Sequence, residues 1–514
     1  MEKYIMKEPA KMNYFFRDGY IDLGRSIKRA FQMNLETIKQ RKRKLSDLYL
    51  DNLVMKIGKG MLNIVAICST AIFGTIFTTI ISLVHILALF LFMCVFYFIF
   101  FMMWLVDHMY LWINQISNVC SVCKNRYTFP VYQCPNCRRL HWKLTPGRYG
   151  ILKRKCTCGQ VLPSTFFMKV EGKRRSEFAG KCPICARRVI QEKGENAIRV
   201  DDFAAATMDS KPIVIPIGGG RSAGKSVFIN AFVYNFVLFS DDYGFEVDPF
   251  NNAFNSEMRD KYKMIKRFYL AGTSERTEVA EAGEVSIRDF AFYVNNKKFR
   301  VPRLLHVLDV DGESFIKNTE NEVAAHLKHC NGAVLIIDPF TIPGLYTRLG
   351  ISEKEQEITA SVRYEDAGMD SLDIALDSFT EKIRTVRGMS DSEIITTPLA
   401  VCIGKIDMYG LEKELGSEAV ETYMQENPEC KSKGMAMDQM CREFLRIYGE
   451  QGFLTKLENT YKEVRFFAFT AIGHEYGMGE YKPRGVMEIA EWIISMSDDK
   501  ANNKVWKEIT KMHL

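Results

Sequence analysis

Residues 61–106 contain no Asp, Glu, Lys or Arg, and His85 is the one readily titratable side chain among them. Helices in soluble cores rarely stay uncharged over such a length, so the stretch reads as a membrane segment. As a single helix its 46 residues would run about 69 Å, more than twice the hydrocarbon thickness of a bilayer. Two spans of about 20 residues fit that thickness better. The expectation is therefore a transmembrane hairpin over residues 61–115, with spans at 61–81 and 86–106 and a tight turn near Ser82 to His85. Arg41, Lys42, Arg43 and Lys44 precede it, and Arg138, Arg139, Lys153, Arg154 and Lys155 follow it. The positive-inside bias then puts both ends in the cytoplasm of a plasma-membrane protein, which needs an even number of spans. Trp104, Tyr110 and Trp112 stand where an interfacial aromatic belt would lie. Upstream, residues 21–53 within the segment 1–60 read as a basic amphipathic helix, on the membrane surface or with a solvated face.

The formal net charge of +7 is unevenly spread. Residues 1–60 hold 14 Lys and Arg against 7 Asp and Glu, and residues 116–200 hold 18 against 4, so the chain beyond residue 200 is acidic. Positive charge thus flanks the apolar stretch, where the anionic cytoplasmic leaflet attracts it. That placement accounts for the charge without nucleic acid, which is not expected as a partner.

Eight of the 14 cysteines form close pairs: Cys120 with Cys123, Cys134 with Cys137, Cys156 with Cys158, and Cys182 with Cys185. Two thiolates so spaced reach one ion from a tight turn, and two such turns complete a tetrahedral four-thiolate site, which suits zinc. Eight ligands make two sites. Neither leaves a coordination position for water, so their role is structural or adaptor-like, not hydrolytic. A module of this size, residues 116–192, needs its metal to fold. The part from Cys134 to Cys158 resembles a zinc ribbon, which favours that quartet, with Cys120, Cys123, Cys182 and Cys185 closing around it. Pairing in sequence order is the alternative. The ligand spacing, and no cleavable signal peptide at Met1, argue for reduced cytoplasmic thiols rather than secreted disulfides.

After a linker at residues 193–210, the apolar run Ile213-Val214-Ile215-Pro216-Ile217 leads into Gly219-Gly220-Arg221-Ser222-Ala223-Gly224-Lys225-Ser226, followed by the apolar helix that Val227 opens. A strand, a G-x-x-x-x-G-K-[ST] loop and a helix in that order form a phosphate cradle. The glycines let backbone N–H groups face the phosphates, and the helix N-terminus adds its positive end. Lys225 then pairs with the β- and γ-phosphates and Ser226 with magnesium. A second apolar run, residues 304–308, ends at Asp309 within Asp309-Val310-Asp311-Gly312-Glu313. Asp309 reaches the magnesium through water, the Gly312 N–H senses the γ-phosphate, and the following loop acts as a switch. Residues 285–294 and 299–309, joined through Asn295 to Lys298, read as an antiparallel hairpin.

Motif order now carries a resemblance. A P-loop, an antiparallel hairpin and D-x-x-G resemble the translation-factor-related class of P-loop GTPases. Further strands at 332–338 and 399–407 follow, the latter ending in Gly404-Lys405-Ile406-Asp407, similar to that class's [NT]-K-x-D motif. The resemblance implies that Lys405 stacks on the base and Asp407 accepts from guanine N1 and N2. It implies further that Thr470-Ala471, after the strand that opens at Val464, meets guanine O6 through a backbone N–H. It covers about residues 211–498, with a tail at 499–514, and implies an α/β fold around a mostly parallel sheet, a nucleotide partner and GTP hydrolysis. Gly404 departs from the usual Asn or Thr, and Glu313 stands where many relatives carry a water-positioning Gln. Thr277 is the candidate magnesium-binding switch threonine, with Thr273 beside it. The membrane segment and cysteine module resemble more closely the bacterial double-GTPase family, found in gene clusters of presumed defence or conflict systems.

The leading expectation is a membrane-tethered GTPase switch using GTP, magnesium and two zinc ions, read by a protein effector or an activating partner, with a nucleotide-dependent dimer as a further expectation. A membrane scaffold with structural nucleotide, whose zinc module binds partners, is one alternative. A dynamin-like remodelling GTPase is another, although it calls for long stalks and 17 residues follow Ser497. Two stretches exceed ordinary loop length, residues 240–283 and 339–398, and read as elaborations for partners.

Overall fold

The computed structural model describes residues 18–47, 53–120, 125–137, 139–142, 144–146, 150, 152–175, 178, 180–191, 210–220, 223–238, 240, 242, 244–248, 256–271, 288–309, 327–349, 372–474, 481–498 and 505–506. The chain divides into two compact units: residues 1–112 with 132–178, and residues 113–131 with 179–514.

In the first unit, helix α1 (Asp18–Ser46) runs beside a much longer helix, α2 (Leu53–Ile113). α2 is α-helical over Leu53–Ser69 and Thr75–Ile113, with one π turn between them at Thr70–Gly74. Asn34 on α1 donates to the Gly74 carbonyl at 3.1 Å and to the Thr78 hydroxyl at 2.7 Å. The Tyr20 and Tyr97 hydroxyls meet at 2.6 Å, so the two helices are antiparallel. Among the described residues α2 is the one helix long and apolar enough to cross a membrane. Its large side chains, Phe77, Leu87, Val95 and Phe98 among them, are mostly exposed.

The expected turn near Ser82 to His85 is absent. The helix continues through it, and the His85 ring bonds to the Ile81 carbonyl one turn back. The cause is local: from Thr75 to Ile113 there is neither Gly nor Pro, and Leu, Ile, Phe and Met keep the ladder intact. The 61-residue helix corrects the two-span hairpin to one candidate span. The argument for an even number of spans, and for both ends on one side, goes with it.

Asp107, the lone charged residue within 61–115, is fully buried. Its carboxylate takes both guanidinium nitrogens of Arg175, at 2.9 and 3.1 Å, and the Phe166 N–H at 3.0 Å. Arg175 also donates to the Leu144 carbonyl at 2.7 Å. Tyr110 stacks on Phe166 with ring centroids 3.9 Å apart. The cysteine-bearing part of this unit is thereby fastened to the C-terminal end of α2.

The second unit carries the short helix α3 (Pro183–Gln191) and is built on a seven-stranded sheet. Its strands are β1 (Lys211–Gly219), β2 (Glu246–Asp248), β3 (Arg288–Asn295), β4 (Arg303–Asp309), β5 (Ala333–Ile337), β6 (Leu399–Ile403) and β7 (Val464–Ala468). The spatial order is β7-β6-β5-β1-β4-β3-β2. β4, β1, β5, β6 and β7 are parallel, and β3 and β2 are antiparallel additions at one edge. The expected antiparallel pair is β3 with β4, in register from Arg288 opposite Asp309.

Side chains alternate between the two faces with the strand period of two. Ile213, Ile215 and Ile217 of β1 pack with α4 (Lys225–Leu238) and α12 (Val486–Ser497), while Val214 joins the opposite layer. On β6, Leu399, Val401 and Ile403 face that opposite layer, and Ala400 and Cys402 face back. The opposite layer is formed by α7 (Leu372–Arg387), α10 (Lys433–Ile447) and α11 (Gln451–Thr460). Residues 240–283 contribute β2 and α5 (Ser256–Ala271), a strand and helix that the loop reading did not anticipate. Residues 339–398 contribute α6 (Pro343–Leu349) and α7. The sequence reading was silent about α8 (Glu412–Leu415), α9 (Ser417–Glu426), α10 and α11.

At the sheet end where β1 and β4 begin, Asp498 accepts from Arg303 Nε at 2.8 Å, Lys211 Nζ at 3.1 Å and Trp506 Nε1 at 2.9 Å. Burial alone would raise the Asp498 pKa, but the Arg303 and Lys211 charges and the Trp506 N–H hold it below the usual aspartate value. Trp506 packs on Phe245 and Phe299, so residues read as a tail close the sheet edge.

Candidate functional site

The carboxyl ends of β1 and β4 lie side by side, with Ile217 paired to Asp309. At the end of β1 the backbone of Gly219 takes φ +151°, and a Cβ there would stand 2.4 Å from the Ile336 carbonyl of β5. No side chain fits that approach. Gly224 takes φ +90° at the entry to α4, and the Phe228 N–H reaches its carbonyl at 2.9 Å as the first helical bond. The glycine-rich loop therefore runs directly into the helix N-terminus, whose first N–H groups have no partner within the helix.

Lys225 is buried, and its ammonium donates to the Gly219 carbonyl at 3.0 Å and the Gly220 carbonyl at 2.7 Å. The lysine thus lies folded along the loop it belongs to. The Ser226 hydroxyl stands 3.3 Å from Asp309 Oδ2, across 83 residues of sequence. A hydroxyl and a carboxylate converging beside a lysine are the oxygen donors a hard divalent cation accepts. Ala223 and half-buried Val227 pack into the core beneath. Arg221 and Ser222 lie outside the described residues, as do Thr273, Thr277, Gly312 and Glu313.

A second group of residues gathers beyond the end of β5 and β6. Lys405 has a left-handed backbone, φ +55°, and its ammonium meets Asp338 Oδ2 at 2.6 Å. Asp407 follows, half-buried. A Cβ on Gly404 would stand 3.2 Å from the Phe469 ring and 3.5 Å from the Ala223 carbonyl, so this turn borders the glycine-rich loop directly. Phe469 also packs edge-to-face on Phe228 of α4, centroids 4.9 Å apart. Its ring occupies the space beside Gly404 and ties the turn to the loop by apolar contact, where an Asn side chain would tie it by a hydrogen bond. Sequence reasoning passed over Phe469 because nothing marks one core phenylalanine within Phe466-Phe467-Ala468-Phe469.

Thr470 is buried, and its hydroxyl accepts the Gly473 N–H at 2.8 Å. The Thr470 N–H and carbonyl pair with Arg484 at 3.0 and 2.9 Å. The neighbouring Ala471 N–H makes no hydrogen bond among the described residues. Gly219, Gly220, Ala223, Gly224, Lys225, Ser226 and Asp309 thus form one group, bordered at Ala223 by the Gly404 turn that leads into Lys405 and Asp407 and by Phe469, which precedes Thr470 and Ala471 in the chain.

The cysteines form two clusters, one in each unit. In the first unit Cys134, Cys137, Cys156 and Cys158 converge, with Sγ atoms 3.6 Å apart for Cys134 and Cys158 and 3.5 Å for Cys137 and Cys156. The Cys156-to-Gln160 turn is closed by the Cys156 N–H on the Gln160 carbonyl at 2.8 Å, with Gly159 at φ +95°. Burial pushes the Cys156 thiol up to about 12, whereas the Gln160 backbone N–H pulls Cys158 down to about 7. Cys158 therefore offers a thiolate more readily than Cys134 or Cys156, whose thiols burial pushes up. In the second unit Cys120, Cys182 and Cys185 converge, all buried; Cys123 lies outside the described residues. Either cluster could hold a thiophilic ion such as zinc, and this grouping is the interleaved one rather than pairing in sequence order. The Ser117 N–H bonds to the Ser210 carbonyl at 3.3 Å, which keeps the second cluster's segment beside the start of β1. Residues read as one module, 116–192, consequently belong to both units.

No family model matches this chain, and neither does any curated protein. Among solved structures, the crystal structure of the S. cerevisiae Ski7 GTPase-like domain, bound to GTP, is similar at 11% identity with a TM-score of 0.21. The match takes in 51% of this chain and 43% of that one, so the aligned part spans less than half of that relative's length.

Proposed function

We infer that the chain is a membrane-anchored nucleoside triphosphatase that prefers GTP and works as a switch. The observation that carries this reading is the 3.3 Å approach of Ser226 to Asp309 beside the glycine-rich loop that holds Lys225. Backbone N–H groups from Gly219 to Ser226 bind the phosphates. Lys225 leaves the Gly219 and Gly220 carbonyls and pairs with the β- and γ-phosphates. Ser226 and Asp309 hold magnesium, which supplies charge neutralisation on the phosphate chain. At the other group, the Lys405 stem lies along the base, Asp407 accepts from the guanine N1 and N2 groups, and the Ala471 N–H donates to O6. Adenine presents no donors where Asp407 reads and no acceptor where Ala471 donates, which is the source of the preference. Thr277, Gly312 and Glu313 complete the switch: Thr277 joins the magnesium, the Gly312 N–H senses the γ-phosphate and Glu313 orients the attacking water. An effector or activating protein then reads the two states.

Anchoring rests on α2, whose apolar side chains are exposed. The two cysteine clusters hold one zinc each and are structural, since four thiolates leave no place for water.

The test uses the full chain in detergent. Phosphate release is measured with GTP and with ATP at matched magnesium, for the wild type, Lys225→Ala and Ser226→Ala. GTP turnover lowered at least about a hundredfold by either substitution is expected. Preference for ATP, or turnover untouched by Lys225→Ala, overturns the assignment. Retention of the chain in the membrane pellet at alkaline pH tests the anchor.

A further inference from the structure

We propose that Asp338 is a positioning residue for base recognition, holding the ammonium of Lys405 so that its stem lies ready for a guanine ring; this rests on the nucleotide reading above. Asp338 is the first residue after β5, and its side chain is 3% exposed. One carboxylate oxygen caps the 3₁₀ turn Pro339–Thr341 by accepting the Phe340 N–H at 3.0 Å. The other takes the Lys405 ammonium at 2.6 Å. The two residues are 67 apart in sequence and come from neighbouring parallel strands, β5 and β6.

A free lysine at this position would be a poor stacking partner. Its four-carbon stem carries about 2 kcal/mol of rotamer entropy, and binding a base along it would have to freeze that motion. Fixing the ammonium on a buried carboxylate freezes it beforehand, which is preorganisation in the ordinary sense. The backbone contributes as well. The Gly404 N–H bonds to the Ile337 carbonyl at 3.0 Å, and the Met408 N–H bonds to the Lys405 carbonyl at 3.2 Å, so the turn is docked on the end of β5. Within that turn Lys405 holds φ +55°, a conformation that costs a non-glycine residue about 1 kcal/mol. The ion pair with Asp338 offsets that cost. Gly404 offers no side chain of its own to secure the turn, so the grip falls to Asp338 at one point and to the Phe469 ring at the other.

Because Asp338 works through Lys405, its effect should be confined to ligands that carry a base. Asp338→Asn keeps an oxygen for the Phe340 N–H and so keeps the turn, while the charge that holds Lys405 is lost. Lys405→Met leaves the Asp338 cap untouched and tests the pair from its less buried partner. The full chain in detergent, with magnesium, is titrated calorimetrically with GDP and with inorganic tripolyphosphate, for the wild type, each single variant and the double variant. Asp338→Asn should weaken GDP about tenfold and change tripolyphosphate by less than about twofold. In the Lys405→Met background it should have no further effect on GDP. Equal weakening of both ligands, unchanged GDP affinity in Asp338→Asn, or an additive loss in the double variant overturns the proposal. A wild type that binds neither probe instead removes the nucleotide reading on which the proposal stands.

Discussion

Asp498 offers the sharpest test of what holds the second unit together. Its carboxylate faces two buried cations, Arg303 and Lys211, and the indole N–H of Trp506. Asp498→Asn preserves shape and leaves an amide oxygen for Trp506, but strips the counter-charge from both cations. Breaking a buried ion pair from one side costs about 3–5 kcal/mol. Unfolding entropy of about 2.1 cal/mol/K per residue gives roughly 0.6 kcal/mol per degree over residues 211–498, so the melting temperature should fall by about 5–8 °C. The folded carboxyl titrates below its unfolded value of about 3.9, so its contribution is fully present above that value and is lost as pH falls further. The gap between wild type and variant should therefore be constant from about pH 8 to pH 5 and narrow below about pH 4. Thermal scans of the full chain followed by tryptophan fluorescence read this directly, because Trp506 itself touches Asp498. The cluster lies at the sheet end opposite Gly219 and Asp309, so nucleotide affinity well below the melting temperature should not change. A shift under about 2 °C at neutral pH, or a gap that widens in acid, would refute the ion-pair account.

Other outcomes follow from the same geometry. Gly219→Ala drives a Cβ to 2.4 Å from the Ile336 carbonyl and should abolish nucleotide binding in a filter assay, while Gly220→Ala, whose Cβ would meet nothing within 4 Å, should not distort the β1–β5 contact. Phe469→Ala should destabilise the unit by about 3–5 kcal/mol in thermal scans and weaken GDP binding; adding Gly404→Asn to it should restore part of the affinity, since the ring no longer blocks the path to the Ala223 carbonyl. Metal analysis of the purified chain should give two zinc ions, falling to one in Cys156→Ser and to one in Cys182→Ser, with unchanged stoichiometry counting against the two clusters.

The parts of this architecture that were legible in the sequence are those encoded locally. Gly219 to Ser226 between an apolar strand and an apolar helix, the run ending at Asp309, and the cysteine spacings each announce a backbone geometry within a few residues. The parallel strands were legible for the same reason, as fully buried apolar runs. What escaped depends on partners far away in the chain. Nothing near Asp338 reveals that β5 and β6 become neighbours and bring Lys405 to it. Asp107 is an isolated charge in an apolar run, but its meaning waits on Arg175, 68 residues later. The membrane hairpin does not form because no Gly or Pro breaks the helix through Ser82 to His85, a local signal stronger than the length of the apolar run. Helix α10 was readable and missed, since Ser432 caps it by accepting the Met435 N–H at 3.2 Å ahead of an amphipathic run.

The boundary between the two units is crossed by the chain three times, after Trp112, after Val131 and after Phe178. A single protease cut at any one of these crossings severs the one covalent path from α2 to the seven-stranded sheet. A cut after Phe178 also divides the second cysteine cluster, leaving Cys120 with α2 and Cys182 and Cys185 with the sheet, whereas a piece that starts in the linker at 193–210 leaves all three behind.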